Sequence, residues 1–244
     1  MKRVLITGAN QGIGLATAKH LAHQGYYVYL ACRNPDAGAF AVETLKSEGI
    51  ENASCVLLDV TDQASIDLAV EEVLKQSNSL DALINNAGIL GNVNSDGSVS
   101  IEEIKRVFET NVFGVISVTR AFLPLLLQSE APRIVHISSG LGSLTNQSDP
   151  DWLFAQYKSE AYFPSKTALN AYCVALAAKL KSTRCKVNLV DPGFVKTAFN
   201  GFQGLHDPAK AAKFISYAAT LPEDGPTGCF LSESEGSSNG IMPW

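Results

Sequence analysis

Tyr162 and Lys166 stand four residues apart in the stretch YFPSK, the one place where a Tyr is followed at that spacing by a Lys. On a helix the two side chains share a face, one turn apart. A phenol is a poor acid near neutral pH, with a reference pKa of about 10. A neighbouring ammonium favours the phenolate and lowers that value. A Tyr tuned in this way can give a proton to a carbonyl oxygen or take one from an alcohol. The same spacing also suits two side chains on a solvated helix face, so the pair needs elements that would bring it to a ligand.

The bulk numbers describe the setting. The chain has 244 residues, 46% of them hydrophobic and 18% charged, with no low-complexity run to divide it, so one globular domain over 1–244 is expected. The net charge is −5, and no basic tract suggests nucleic acid or an anionic membrane. The opening apolar run is too short for a signal peptide, and the apolar run at 121–127 contains Pro124. Five cysteines without a CxxC pair read as reduced, mostly buried thiols of a cytoplasmic protein. Four histidines lack metal-ligand spacing; His136, inside an apolar run, reads as a core residue with a hydrogen-bond partner.

The elements alternate. Residues 3–7 read as a strand, followed by Gly8, Ala9, Asn10, Gln11, Gly12, Ile13 and Gly14 and then by a helical pattern over 15–23. Glycines between a strand and a helix let backbone approach a pyrophosphate, and the helix N-terminus adds free N–H groups and positive dipole. A second strand over 26–31 ends in Cys32, Arg33, Asn34 and Pro35. Sites for NAD tend to carry a carboxylate there and sites for NADP an Arg. No acid occupies 31–35, and Arg33 can fork onto a 2′-phosphate.

A helix over 37–47 and a strand over 53–58 lead to Asp59, Val60, Thr61 and Asp62. Asp59 could meet an adenine, and Asp62 suits the N-cap of the helix over 63–76. A strand over 80–84 runs into Asn85, Asn86, Ala87 and Gly88, and a long helix over 101–128 carries Asn111 among apolar neighbours. A strand over 133–137 ends in Ser138 and Ser139, and 141–159 reads as a polar loop. Ser159 suits the cap of a helix over 160–182, with Pro164 in its first turn where a missing N–H costs nothing. A strand over 185–190 ends in Asp191, Pro192 and Gly193; a helix over 207–219 and a short strand over 229–231 follow. This order predicts a Rossmann-type doubly wound parallel sheet flanked by helices, with ligand contacts at strand C-terminal ends.

TGANQGIG (7–14), NNAG (85–88), ISS (137–139), YFPSK (162–166) and NLVDPGFVKT (188–197) together resemble the short-chain dehydrogenase/reductase family over nearly the whole chain. The resemblance implies a tetrad of Asn111, Ser139, Tyr162 and Lys166. It further implies nicotinamide carboxamide contacts from the PG segment through Val195 and Thr197, with Lys166 holding the nicotinamide ribose. The CRN after the second strand, the long segment before Tyr162 and the ending GPTGCFLSE…PW are similar to NADPH-dependent carbonyl reductases. There are departures: a long gap between Ser139 and Tyr162, Pro164 between Tyr and Lys, and Gln11 where many NADPH-preferring members carry a basic residue.

The expected chemistry is hydride transfer from NADPH to the carbonyl of a small molecule, with Tyr162 as general acid, Ser139 holding the carbonyl, and Asn111 placing a water beside Lys166. No metal is expected. Two other classes stay open: an NADP(H)-binding sensor or scaffold without turnover, and a nucleotide-sugar epimerase-type enzyme. Leu residues with Trp152, Phe154, Phe199 and Phe202 are expected to wall an apolar or aromatic substrate pocket, although ordinary loop packing would also account for them. Monomer, homodimer and homotetramer are all compatible with the sequence.

Overall fold

The computed structural model describes residues 1–94, 96–234 and 236–244. Strands β1 (Arg3–Thr7), β2 (Tyr27–Cys32), β3 (Ala53–Leu57), β4 (Ala82–Asn85), β5 (Arg133–Ile137), β6 (Lys186–Asp191) and β7 (Phe230–Ser232) form one sheet in the order β3-β2-β1-β4-β5-β6-β7. Every neighbouring pair is parallel. Both faces of a parallel sheet are covered, which is why its strands read as apolar runs rather than alternations. Val4, Ile6, Val28, Leu30, Ile84 and Val135 enter one core layer. Leu5, Tyr29, Leu83, Ile134 and Val187 enter the other.

The helices are α1 (Gly12–His23), α2 (Pro35–Ser47), α3 (Gln63–Leu74), α4 (Ile101–Phe108), α5 (Val115–Leu126), α6 (Leu144–Ser148), α7 (Tyr162–Lys179) and α8 (Pro208–Ala219). Buried residues of α1, α2 and α8 join the first layer, and those of α3, α5 and α7 the second. The strand order reverses between β1 and β4, so the loops after these two strands part and leave a crevice. The expected doubly wound fold is therefore present.

Two expectations are corrected. The helix expected over 101–128 is broken: residues Glu109–Gly114 wind as a π-helix between α4 and α5. Gly114 packs against the Val60 carbonyl, where an added Cβ would lie 2.7 Å from the oxygen. The segment 141–159 is not all loop, because Ser143 accepts a hydrogen bond from Asn146 N and caps α6.

Candidate active site

The cleft lies along the C-terminal ends of β1, β4, β5 and β6 and has a volume of about 360 Å³. Its phosphate-sized end is made of backbone. Gly8 and Gly12 have φ of +64° and +57°, a region that disfavours side chains. A Cβ at Gly14 would sit 2.5 Å from the Gly8 carbonyl and 2.6 Å from Asn86 Nδ2, so helix and turn touch directly. Helices α2, α3, α4 and α8 begin with side-chain caps from Asn34, Asp62, Ser100 and Asp207. Helix α1 follows Gln11, whose side chain makes no cap bond. Its first N–H groups and positive dipole end therefore remain available to an anion.

Asn86 holds this turn in place. Its Nδ2 donates to the carbonyls of Thr7 (2.9 Å) and Gly8 (3.1 Å), while Thr7 Oγ1 accepts from Asn86 N and Ala87 N (both 3.0 Å). The ends of β1 and β4 are thus stitched together beneath the cleft. Arg33, exposed at the end of β2, lines the same cleft and forms no ion pair among the described residues. Asp59 accepts from Thr61 N (2.9 Å) and Thr61 Oγ1 (2.7 Å), which shapes the turn after β3.

The other end is made of side chains. Tyr162 is the first residue of α7, where Ser159 Oγ accepts from its backbone N–H at 3.1 Å. Pro164 falls in the first turn, as expected, and leaves the helix continuous to Lys166. The Gly140–Gly142 turn lies against α7 so closely that a Cβ on Gly142 would be 2.9 Å from that of Lys166. Of the adjacent serines, Ser138 is buried and donates to Asn170 Oδ1 at 2.6 Å. Ser139 lines the cleft, and its hydroxyl lies near enough to the Tyr162 phenol to act on its titration. Lys166 Nζ donates to the Ile137 carbonyl at 2.8 Å and lies 5.6 Å from the centre of the Tyr162 ring.

The expected lowering of the Tyr162 pKa is not what the structure shows. Burial pushes the phenol up; the Ser139 hydrogen bond opposes this and Asp191 adds to it. Burial also pushes Lys166 down, to about 8. At neutral pH Tyr162 is thus a protonated phenol beside a predominantly cationic Lys166.

Asn111 lies in the π-helical turn and is fully buried. Its Oδ1 accepts from Ile89 N (2.9 Å), and its Nδ2 donates to the Ile89 carbonyl (2.9 Å) and to Ser165 Oγ (3.0 Å). Ser165 Oγ donates in turn to the Tyr162 carbonyl at 2.6 Å. One amide therefore ties the loop after β4 to the first turn of α7. A methyl on Gly88 would touch both Asn111 Oδ1 (3.3 Å) and Lys166 Nζ (3.7 Å), so these two groups converge on one point.

Gly8, Asn10, Gln11, Gly12, Ile13, Gly14, Arg33, Asp59, Val60, Asn86, Ala87 and Gly88 border the cleft together with Ser139, Tyr162, Lys166, Pro192, Gly193, Val195 and Thr197. Asn34 does not border it; its side chain accepts from Ala37 N at 2.9 Å and caps α2. Thr197 reaches over the glycine turn, with its Cγ2 3.5 Å from where a Gly12 Cβ would be. Trp152 is buried against Phe154 and Gly140 and does not line the cleft; nor do Phe154 and the exposed Phe202. The apolar wall beside Tyr162 is instead Ile89, Leu90, Leu141, Phe194 and Phe199. Phe194 and Leu90 were missed because nothing in their spacing sets them apart from loop residues. His136 is the buried core residue expected, with Nδ1 3.1 Å from Asn85 Nδ2; burial and the Lys166 charge push its ring down to about 3, so it is neutral.

A dinucleotide-type crevice at the switch point of a parallel sheet, with a Ser–Tyr–Lys cluster at one end, defines a class of oxidoreductases. Comparison with known proteins places the chain within it. The short chain dehydrogenase family model matches residues 2–206, and the chain belongs to the short-chain dehydrogenase/reductase family. Short-chain dehydrogenase anuI of Penicillium roqueforti is 40% identical over 223 residues, covering 89% of this chain and 88% of that protein. The structure of salutaridine reductase from Papaver somniferum matches with a TM-score of 0.84 at 30% identity, covering 96% of this chain and 100% of that one. The NADPH-bound carbonyl reductase from chicken fatty liver matches with a TM-score of 0.82 at 29% identity, covering 100% and 99%. Among the described residues no helix is long and apolar enough to cross a membrane.

Proposed function

We propose that the chain, as one catalytic domain over 1–244, reduces the ketone or aldehyde carbonyl of an apolar small molecule to an alcohol, with NADPH as cofactor. The observation that carries this reading is the placement of Ser139, Tyr162 and Lys166 at one end of a cleft whose other end is an uncapped helix N-terminus. The residues present fit a dinucleotide. Gly8, Asn10, Gln11, Gly12, Ile13 and Gly14 offer backbone to the pyrophosphate, and the close Gly8–Gly14 approach leaves no room for side chains there. Arg33 would fork onto the 2′-phosphate. Asp59 and Val60 would border the adenine, Asn86, Ala87 and Gly88 the central ribose. Pro192, Gly193, Val195 and Thr197 would hold the carboxamide, and Lys166 the nicotinamide ribose.

When bound there, the dihydronicotinamide supplies a hydride to the carbonyl carbon. Ser139 donates to the carbonyl oxygen and holds it within reach of the phenol. Tyr162, kept protonated by burial, gives its proton to that oxygen as negative charge develops. Lys166 stabilises the phenolate left behind. Asn111 fixes the loop after β4 against α7, and a water at the point where Asn111 and Lys166 converge would return the proton. The apolar wall of Leu90, Leu141, Phe194 and Phe199 favours an apolar or aromatic carbonyl compound.

The test is cofactor oxidation, followed by absorbance, against aldehydes, aryl ketones, diketones and quinones. Turnover with NADPH and weak turnover with NADH is the expected result. Tight NADPH binding with no turnover across that panel would overturn the reductase reading in favour of a cofactor-sensing role.

A further inference from the structure

Cys32 and Cys55 lie with their sulfurs 3.6 Å apart, in contact and unbonded. Cys32 is the last residue of β2, and Cys55 is central in β3, the edge strand. Cys55 pairs with Leu30 and Cys32 with Leu57, so both thiols project from the same sheet face. Helix α2 rests on them through Gly38, where an added Cβ would lie 2.2 Å from the Cys55 sulfur and 2.6 Å from that of Cys32. No larger residue fits at Gly38 without displacing the pair. Cys32 borders the cofactor cleft and immediately precedes Arg33.

We propose that Cys32 and Cys55 are a modification site: a hydroperoxide converts them to a disulfide, which displaces the Arg33 corner and weakens cofactor binding. The consequence for NADPH rests on the reading of Arg33 given above. Cys55 is half-buried and so within reach of a small oxidant, and the Cys32 sulfur in contact with it is placed to resolve the oxidised form. With hydrogen peroxide the Cys55 thiolate attacks one oxygen, the O–O bond breaks, and a sulfenic acid and one water form. The Cys32 sulfur then attacks the Cys55 sulfur, the S–S bond forms, and the S–O bond breaks. The departing hydroxide takes the Cys32 proton as a second water. Two thiols have lost two electrons and two protons, and one peroxide has become two waters.

Bonding requires a separation of about 2.0 Å, so the sulfurs must close by about 1.6 Å. Cys55 is central in the β3 ladder, whereas Cys32, opposite Leu57, is the last paired residue of β2. The shift therefore falls on the segment from Cys32 to Asn34, whose carbonyl lies 3.4 Å from the Cys32 sulfur and whose side chain caps α2. Arg33 is the middle residue of that segment.

The full chain is treated with hydrogen peroxide, its remaining thiols are alkylated, and its peptides are mapped by mass. KM for NADPH and for NADH is measured before oxidation, after it, and after dithiothreitol. The expected result is a Cys32–Cys55 linked peptide and a KM for NADPH raised about tenfold or more, restored by dithiothreitol. Cys55→Ser, with Cys55→Ala as a second variant, should keep the basal activity and lose the response. Oxidation that consumes thiols without this link, or a response that persists in both variants, would overturn the proposal, as would a link that leaves KM unchanged for both cofactors. A link that raises KM equally for NADPH and NADH would uphold the dithiol and retire Arg33 as reader of the 2′-phosphate.

Discussion

At the end of the cleft proposed to take the phosphates the protein presents backbone, and at the end proposed to take the carbonyl it presents side chains. The glycine turn offers no polar side chain to a ligand: its φ angles and the uncapped start of α1 leave backbone on display, and Asn86 holds it from beneath. Ser139, Tyr162, Lys166 and Asn111 depend on contacts among β5, α7, the π-helical turn and the loop after β4. A backbone site fails when a side chain intrudes. A side-chain site fails when one atom is removed, even if the fold is untouched.

The largest expected effect is at the carbonyl end. Tyr162→Phe deletes the proposed proton donor and should lower kcat by about 100- to 10,000-fold, with NADPH binding by titration calorimetry little changed. Retained turnover would remove Tyr162 from the mechanism.

Next is the cost of the buried cation. In the unfolded chain a lysine titrates near about 10.4, and burial lowers Lys166 to about 8. Between those values the unfolded state holds a proton that the folded state has released. The Lys166 contribution to stability therefore rises with pH over that window. Lys166→Met should be more stable than the native chain below pH ~8, and its advantage should shrink by on the order of 3 kcal/mol by pH ~10.4. Denaturant titrations of both proteins across this range would show it, and parallel pH profiles would contradict it.

At the phosphate end, Arg33→Asp should raise KM for NADPH about 10- to 100-fold and shift preference towards NADH. Its midpoint of thermal unfolding should hardly move, since Arg33 is exposed and forms no ion pair among the described residues. Gly14→Ala should do the reverse of a surface change: a Cβ 2.5 Å from a carbonyl oxygen should cost about 1–3 kcal/mol of stability and weaken both cofactors alike. The smallest effect separates neighbours. Ser138→Ala leaves Asn170 Oδ1 without its donor and should cost about 1–3 kcal/mol of stability, with kcat falling far less than in Ser139→Ala.

Much of this is legible in the sequence. Asp62 stands where a cap is expected, because capping is local chemistry between a side chain and the next few N–H groups; Asp207, expected as the first residue of a helix, is instead its cap. The strand–glycine–helix order was legible for the same reason. The π-helical turn was not, because its causes are distant: Asn111 bonds Ile89 and Ser165, and Gly114 meets Val60. Asn34 follows Arg33 at a strand end, where cofactor contacts are expected, yet its side chain caps α2. Trp152, expected in the pocket wall, is packed behind the Gly140 turn.

The sequence by itself determined the alternation of elements, the glycine turn, Arg33 in place of an acid, and the types and order of the catalytic candidates. These depend on spacing of a few residues, where backbone geometry leaves little freedom. Only the tertiary structure decided that the Ser138 hydroxyl is taken up by Asn170, that burial dominates the Tyr162 proton, and which aromatic rings wall the site. Each of those depends on what packs against a group from far along the chain, and desolvation has no signature in local sequence.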